Sequence, residues 1–320
     1  MSIRISRLLI AASIAAGAAA SAQDYPQRPI RLILPVPPGG VADVIVRPLA
    51  QKLTQSLGQS VVIDNRPGAT GAIGLALVAK AAPDGYTLLF GSTNTLCMGP
   101  ALHAKTPPSD DYAAVTPVNT YHNVLVVNTT VPVKNLNELI EYAKARPEEL
   151  KFASSGEGST NHLSALLFQS LTKTKITHVP YKGGGPALID LLGGHVQALF
   201  ATVPSAVAYI KDGRLKALVV TSEKRESALP AIPSAPEAGV PGLLVSTWSG
   251  VLAPPGTPRA IVMKLNSEIA KAANSPDMIE RYNAVAAEVF TTSPEEFAKI
   301  ARNDFAKWSK VVKDFGLKAH

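Results

Sequence analysis

Short, continuous apolar runs alternate along this chain with segments in which apolar residues recur every three or four positions. Continuous runs are how strands buried on both faces read, because neither face needs to be polar. They predict strands at residues 30–34, 61–63, 87–90, 124–127, 151–153, 177–179, 196–200 and 217–220, with 245–252 as a further candidate. The helical period predicts helices at 43–57, 136–144 and 160–171, the last carrying Leu163, Leu166, Leu167 and Leu171 at helical spacing. Such alternation implies parallel α/β sheets with right-handed crossovers. From Pro258 onward the pattern is helical alone, at 259–273, 275–284 and 294–315. Three helices without strands cannot form another α/β unit, so they are expected to pack back on the first domain.

The N-terminus sets the expected compartment. Arg4 and Arg7 precede an apolar run from Leu8 to Ala20, and Ala20-Ser21-Ala22 offers small residues at a cleavage position. That order predicts a secretory signal peptide over residues 1–22, with cleavage near Ala22. The run, at about 13 residues, is too short to cross a hydrocarbon core roughly 30 Å thick. The remaining length exceeds what one core usually organises, so two domains are expected. Pro- and Gly-rich stretches at 106–108 and 230–241 flank a central block. They place hinges near residues 121 and 240, giving a discontinuous first domain (23–121 and 240–320) and a second domain (122–239).

Composition narrows the chemistry. The formal charge is +7, of which Arg4 and Arg7 contribute two, leaving +5 after cleavage. With no Lys/Arg run, that excess predicts no nucleic-acid partner. Cys97 is the single cysteine and cannot form an internal disulfide; it is expected to be a small buried hydrophobe. The histidines at 103, 122, 162, 178, 195 and 320 form no i,i+4 pair and have no cysteine partners, so neither metal nor cofactor is expected. His162, in the first turn of a helix, is expected to be a structural hydrogen-bonding group rather than a base.

Ligands of open parallel sheets bind outside the carboxyl ends of the strands, so the loops after strands are where chemistry should lie. Pro35-Val36-Pro37-Pro38-Gly39-Gly40 leads into a helix; its glycines admit close approach to bare backbone N–H groups, and the helix N-terminus adds partial positive charge. Together these make an anion seat. Ser154-Ser155-Gly156-Glu157-Gly158-Ser159-Thr160 precedes a second helix, which Ser159 or Thr160 can cap, leaving the other hydroxyls and amides facing outward. No G-x-S-x-G elbow surrounds Ser159. Gly91-Ser92-Thr93-Asn94-Thr95 and Tyr181-Lys182-Gly183-Gly184-Gly185-Pro186 follow strands and offer small or polar contacts, Lys182 reading as a solvated lysine. Neither this glycine run nor Gly68, Gly71 and Gly74 has phosphate- or dinucleotide-binding spacing.

At these loops the chain resembles the Bug family, the periplasmic receptors of the tripartite tricarboxylate transporter type. The likeness rests on Tyr25-Pro26-x-Arg28-Pro29-Ile30-Arg31, the PPGG loop with Asp43 and Arg47, Asn65-Arg66-Pro67-Gly68-Ala69 and Pro83-Asp84-Gly85-Tyr86. It continues through Gly158-Ser159-x-x-His162-Leu163, His178-Val179-Pro180-Tyr181-Lys182-Gly183, Glu237-Ala238-Gly239-Val240-Pro241-Gly242 and Trp248-x-Gly250. The resemblance implies an α/β, two-domain periplasmic-binding-protein (Venus-flytrap, type II) fold with parallel-rich sheets and crossing hinge segments. It also implies a ligand carboxylate held by backbone amides and ordered waters, with Val36, Gly39 and Gly40 on one loop. Ser155, Gly158, Ser159 and Thr160 stand on the other, and Ser92 and Thr202 are further candidates. An acidic residue common in the family after the strand ending at Phe200 is Ala201 here, which disfavours an amino-acid ligand. Pro48 falls inside the first helix, where it should introduce a kink.

The expected function is therefore capture of a small organic carboxylate (mono- or dicarboxylate, including aromatic acids) by domain closure, with no catalysis. The expected partners are that ligand and the membrane permease subunits of a tripartite transporter, the receptor itself being a monomer. Alternatives are a ligand-sensing receptor that signals to a membrane sensor protein, an amino-acid receptor, and more remotely a serine hydrolase built on Ser159 and His162.

Overall fold

A computed structural model describes residues 25–38, 41–68, 71–102 and 111–317. The expected signal peptide, the candidate ligand residues Gly39 and Gly40, and the stretch 106–108 lie outside the described residues. Three apolar runs form a parallel ladder in which β1 (Ile30–Leu34) lies between β2 (Val61–Asn65) and β3 (Thr87–Ser92), Leu32 standing opposite Ile63 and Leu88. Leu32 and Leu34 enter the core cluster on one side and Ile33 the cluster on the other, which is why this run is apolar throughout. A second parallel ladder sets β5 (Lys151–Ser154) between β6 (Thr177–Pro180) and β7 (Ala198–Thr202).

The two ladders are joined antiparallel. β4 (Ala113–Asn128) is sixteen residues long, and the expected strand at 124–127 is only a part of its second half. Its residues 113–122 pair with β9 (Ser246–Ala253), while residues 123–128 pair with β7 and with β8 (Leu215–Val220). The result is one mixed ten-stranded sheet with the path β2-β1-β3-β9-β4-β7-β5-β6. The first half of β4 escapes a strand reading because it contains Pro117, which cannot donate to a ladder. Pro117 is accommodated beside a register shift between Pro117 and Asn119, the sort of place where strands tolerate proline.

At the junction, the buried Thr221 ties both crossing segments together. Its hydroxyl accepts the Asn123 N–H (3.0 Å) and faces the carbonyls of Val245 (2.7 Å) and Asn123 (3.1 Å).

The helices are α1 (Val41–Leu57), α2 (Ala72–Ala79), α3 (Gly99–Leu102), α4 (Leu136–Ala145), α5 (Thr160–Thr172), α6 (Gly184–Leu192) and α7 (Val203–Lys211). The last three are α8 (Arg259–Ala273), α9 (Pro276–Ala284) and α10 (Pro294–Asp314). They do return to the first ladder. Leu265 and Ile269 of α8, with Met278 and Tyr282 of α9, share a core cluster with Ile45, Leu49 and Leu53 of α1. On the opposite face α10 brings Phe297 and Trp308 against Trp248 and Leu252. The expectation of helices alone needs one correction: β10 (Glu288–Val289) pairs with Asn119 and Thr120 of β4. Two residues are too few to leave a periodic signal. Cys97 is buried in the second of these clusters, as expected of a small hydrophobe.

Candidate ligand-binding site

The carboxyl ends of β1, β2, β3 and β5 open on a common cavity of about 370 Å³, within the size range of small-molecule sites. From the first half of the sheet it is lined by Pro35, Val36, Pro37, Pro67, Gly68, Gly71, Asn94 and Thr95; from the second, by Ser155, Glu157, Gly158 and Ser159. The loop after β1 is pinned by Asn65, whose Nδ2 donates to the Val36 carbonyl (3.1 Å). In the first turn of α1 the buried Asp43 pairs with Arg47 (3.0 Å), so these two charges are directed at each other.

The serine-glycine loop is organised from within. Ser159 is the N-cap of α5: its Oγ accepts the His162 N–H (3.3 Å) and donates to the Gly156 carbonyl (2.7 Å). Ser155 Oγ donates to Asn161 Oδ1 (2.5 Å), and the Asn161 amide donates in turn to the Phe200 carbonyl. Ser154 is buried, its Oγ 2.7 Å from His178 Nε2. Thr160 is buried as well, its carbonyl accepting from Ser164 Oγ (2.6 Å). The hydroxyls expected to face outward are thus largely spent inside the loop. The first amides of α5 have no intrahelical acceptor, and among them the His162 N–H is already taken by Ser159.

Gly158 is where backbone conformation and close approach coincide. Its φ is +68°, and a Cβ there would lie 1.8 Å from Leu102 Cδ1 of α3.

Beneath this loop the rings of His162 and His178 stack with centroids 3.7 Å apart and planes within 6°. His162 Nδ1 accepts the Gly158 N–H at 3.1 Å, the structural role expected of it. Burial, reinforced by neighbouring His178, pushes His162 down to about 4; burial also lowers His178, against an opposing pull from Glu157.

Not every candidate reaches the cavity wall. Val36, Ser155, Gly158 and Ser159 line it; Ser92, Thr160 and Thr202 are not among its lining residues. Ser92 donates its N–H to Thr95 Oγ1 (3.0 Å), and the Thr202 hydroxyl faces Ser205 Oγ (2.9 Å). The expected loop at 91–95 is instead the end of β3 followed by a π-helical turn over Asn94–Met98. That turn carries Asn94 and Thr95 into the wall, in keeping with the polar contacts expected of this segment, although the π-helical turn itself is not visible in the sequence. Gly68 and Gly71, two of the glycines at 68, 71 and 74 whose spacing matches no nucleotide motif, line the wall beside Pro67. Gly71 is a close-approach position, since a Cβ there would lie 2.9 Å from Thr95 Cγ2. Ala201 lies inside β7 and is buried, so it is a strand residue rather than the one that follows the strand.

Residues 45–317 match the family described as tripartite tricarboxylate transporter family receptor. The chain belongs to that receptor family. It is 40% identical over 301 residues to Protein BugT of Bordetella pertussis, covering 93% of this chain and 92% of that one. Among solved structures it resembles Rhodopseudomonas palustris MatC (Rpa3494) with bound malate: TM-score 0.77, 32% identity, 90% of this chain and 100% of that chain. It also resembles R. palustris Rpa4515 with adipate: TM-score 0.81, 36% identity, 92% of this chain and 99% of that chain. Receptors of this family are periplasmic solute-binding proteins, not enzymes. Among the described residues of this receptor, no helix is long and apolar enough to cross a membrane. The hydrolase alternative also fails on geometry, because Ser159 Oγ is directed at the Gly156 carbonyl while His162 Nδ1 is taken by a backbone amide.

Proposed function

We propose that this receptor captures a small mono- or dicarboxylate between two lobes and delivers it to the permease subunits of a tripartite transporter. The lobes are residues 23–121 with 240–320, and residues 122–239; export by a signal peptide cleaved near Ala22 completes the reading. The observation that carries it is the cavity shared between Pro35-Val36-Pro37 of one half of the sheet and Ser155, Gly158 and Ser159 of the other. A ligand anion that touches both halves binds the closed form better than the open one, and that difference alone drives closure. Gly39 and Gly40 belong to the same anion seat in this proposal, next to the start of α1. Charge-assisted hydrogen bonds contribute about 1.5–3 kcal/mol each, so three or four offset the cost of ordering the ligand. The adipate and malate named for two structural relatives support a dicarboxylate.

Glu157 favours a second reading. Glu157 lines the same cavity and carries a negative charge that suits a ligand ammonium, so amino acids belong in any test. A thermal-shift screen of the mature protein against mono-, di- and tricarboxylates, aromatic acids, amino acids and neutral sugars separates the two. A ligand at about 100 times its Kd stabilises the fold by roughly 2.7 kcal/mol. Shifts confined to carboxylates are the expected result, and shifts from sugars or amino acids alone would overturn the anion-seat reading.

A further inference from the structure

The stacked histidines lie under the one loop that the second half of the sheet contributes to the cavity, and they are wired to it at both ends. His162 Nδ1 accepts the Gly158 N–H, and His178 Nε2 lies 2.7 Å from Ser154 Oγ, which itself accepts the Gly156 N–H (3.1 Å). Because an amide hydrogen points at it, His162 Nδ1 must carry a lone pair, which fixes the neutral ring in the Nε2–H tautomer. A proton on Nδ1 would set N–H against N–H and break the contact that holds Gly158 at its positive φ. The partner ring leaves little alternative, since a charge on either imidazole faces the other across 3.7 Å of stacked contact. The titratable groups that act on the pair are the rings themselves, from α5 and β6, and Glu157 from the loop. Glu157 favours the charged form of His178, yet burial outweighs it.

We propose that His162 and His178 are positioning residues that hold the 154–160 loop in its ligand-competent shape only while both rings are uncharged, so that acidification releases the ligand. The inference rests on the loop being half of the binding site, as proposed above, but the state of the loop can be read without any ligand. Burial lowering His162 to about 4 places the change on the acid side of neutrality and leaves the receptor fully competent at pH 7.

Two measurements test it. In the ligand-free protein, hydrogen exchange of the Gly158 amide, corrected for its intrinsic pH dependence, should keep constant protection from pH 7.5 to 6.5. It should then lose at least tenfold by pH 4, in step with histidine ring shifts followed by NMR. Adipate is the probe in the second: the ratio of its affinities for the wild type and His162→Gln is measured at each pH, which cancels protonation of adipate itself. The glutamine side chain of that variant offers an uncharged acceptor to Gly158, so the ratio should fall about twofold by pH 4 and roughly tenfold by pH 3, following the neutral fraction of His162. Protection of Gly158 that stays flat to pH 4, or a ratio independent of pH, would overturn the proposal. If adipate binds neither protein, the choice of ligand is at fault, and the exchange profile still decides the role of the histidines.

Discussion

At the scale of single residues, Gly158 and His162 show what a ligand loop costs. Gly158→Ala meets two obstacles together: a left-handed φ, worth about 1–2 kcal/mol to any L-residue, and a Cβ within 1.8 Å of Leu102 Cδ1. Leu102 is the flexible partner, so the clash should be relieved by pushing α3 and the loop apart rather than by unfolding. Isothermal titration with the best carboxylate should show affinity down tenfold or more, and Leu102→Ala in the Gly158→Ala background should recover part of it. Recovery of nothing would mean that the backbone conformation, not the contact, is at stake. His162 makes the complementary point about pH. Its pKa falls from the ordinary 6.5 to about 4 on folding, so protons favour the unfolded chain between those values. Stability is then complete above pH 6.5 and lost as pH falls toward 4, by about 3 kcal/mol at most. Urea unfolding of the wild type and His162→Gln at several pH values checks this, the variant showing the shallower slope. The Ser159 cap and the structural role of His162 were legible in the sequence, because a cap needs only local spacing. Asn94 and Thr95 were legible only as part of a polar loop after a strand, because the π-helical turn that carries them leaves no periodic trace.

Among the elements, the parallel strands read clearly and the crossing strand did not. β1, β3 and β5 are buried on both faces, and their apolar runs gave their start positions to the residue. β4 was half-hidden by Pro117 and by Asn119 and Asn123, residue types that sequence reading assigns to turns. Its register is held instead by tertiary bonds, with Thr221 joining Asn123 of β4 to Val245 before β9. Thr221→Val keeps the shape of the side chain but leaves the buried Asn123 N–H without its acceptor. An unsatisfied buried donor costs about 1–3 kcal/mol. Chemical denaturation should show a loss of that size, and a silent substitution would remove Thr221 from its role as the pin between the crossing segments.

For the molecule as a whole, motif resemblance disclosed the family along most of the chain, whereas the continuous sheet through both halves depends on β4 and was not visible. That same crossing carries a feature that works against stability. The Asn119 amide is fully buried, yet neither its nitrogen nor its oxygen has a hydrogen-bond partner among the described residues. Asn123 Oδ1 and Thr247 Oγ1 share that condition. Asn119 stands opposite Ser249 on β9, and two positions on Tyr121 stands opposite Thr247 on the same face. A sheet selected for stability alone would place apolar side chains on these rows, since each buried unpaired group costs about 1–3 kcal/mol. Proteins accept such costs where function needs mobility, and these rows lie where the two proposed lobes pivot. Asn119→Leu, which keeps the heavy-atom branching, should therefore raise stability by about 1–2 kcal/mol, which for a chain of this length is only a few degrees in Tm. The same change should reduce the extra thermal shift produced by ligand, because a stiffer crossing closes less readily. Both quantities come from one set of melting curves with and without the best carboxylate. A destabilised Asn119→Leu would mean that the amide is satisfied in solution, and the pivot would then owe its freedom to Pro117 and the register shifts of β4 instead.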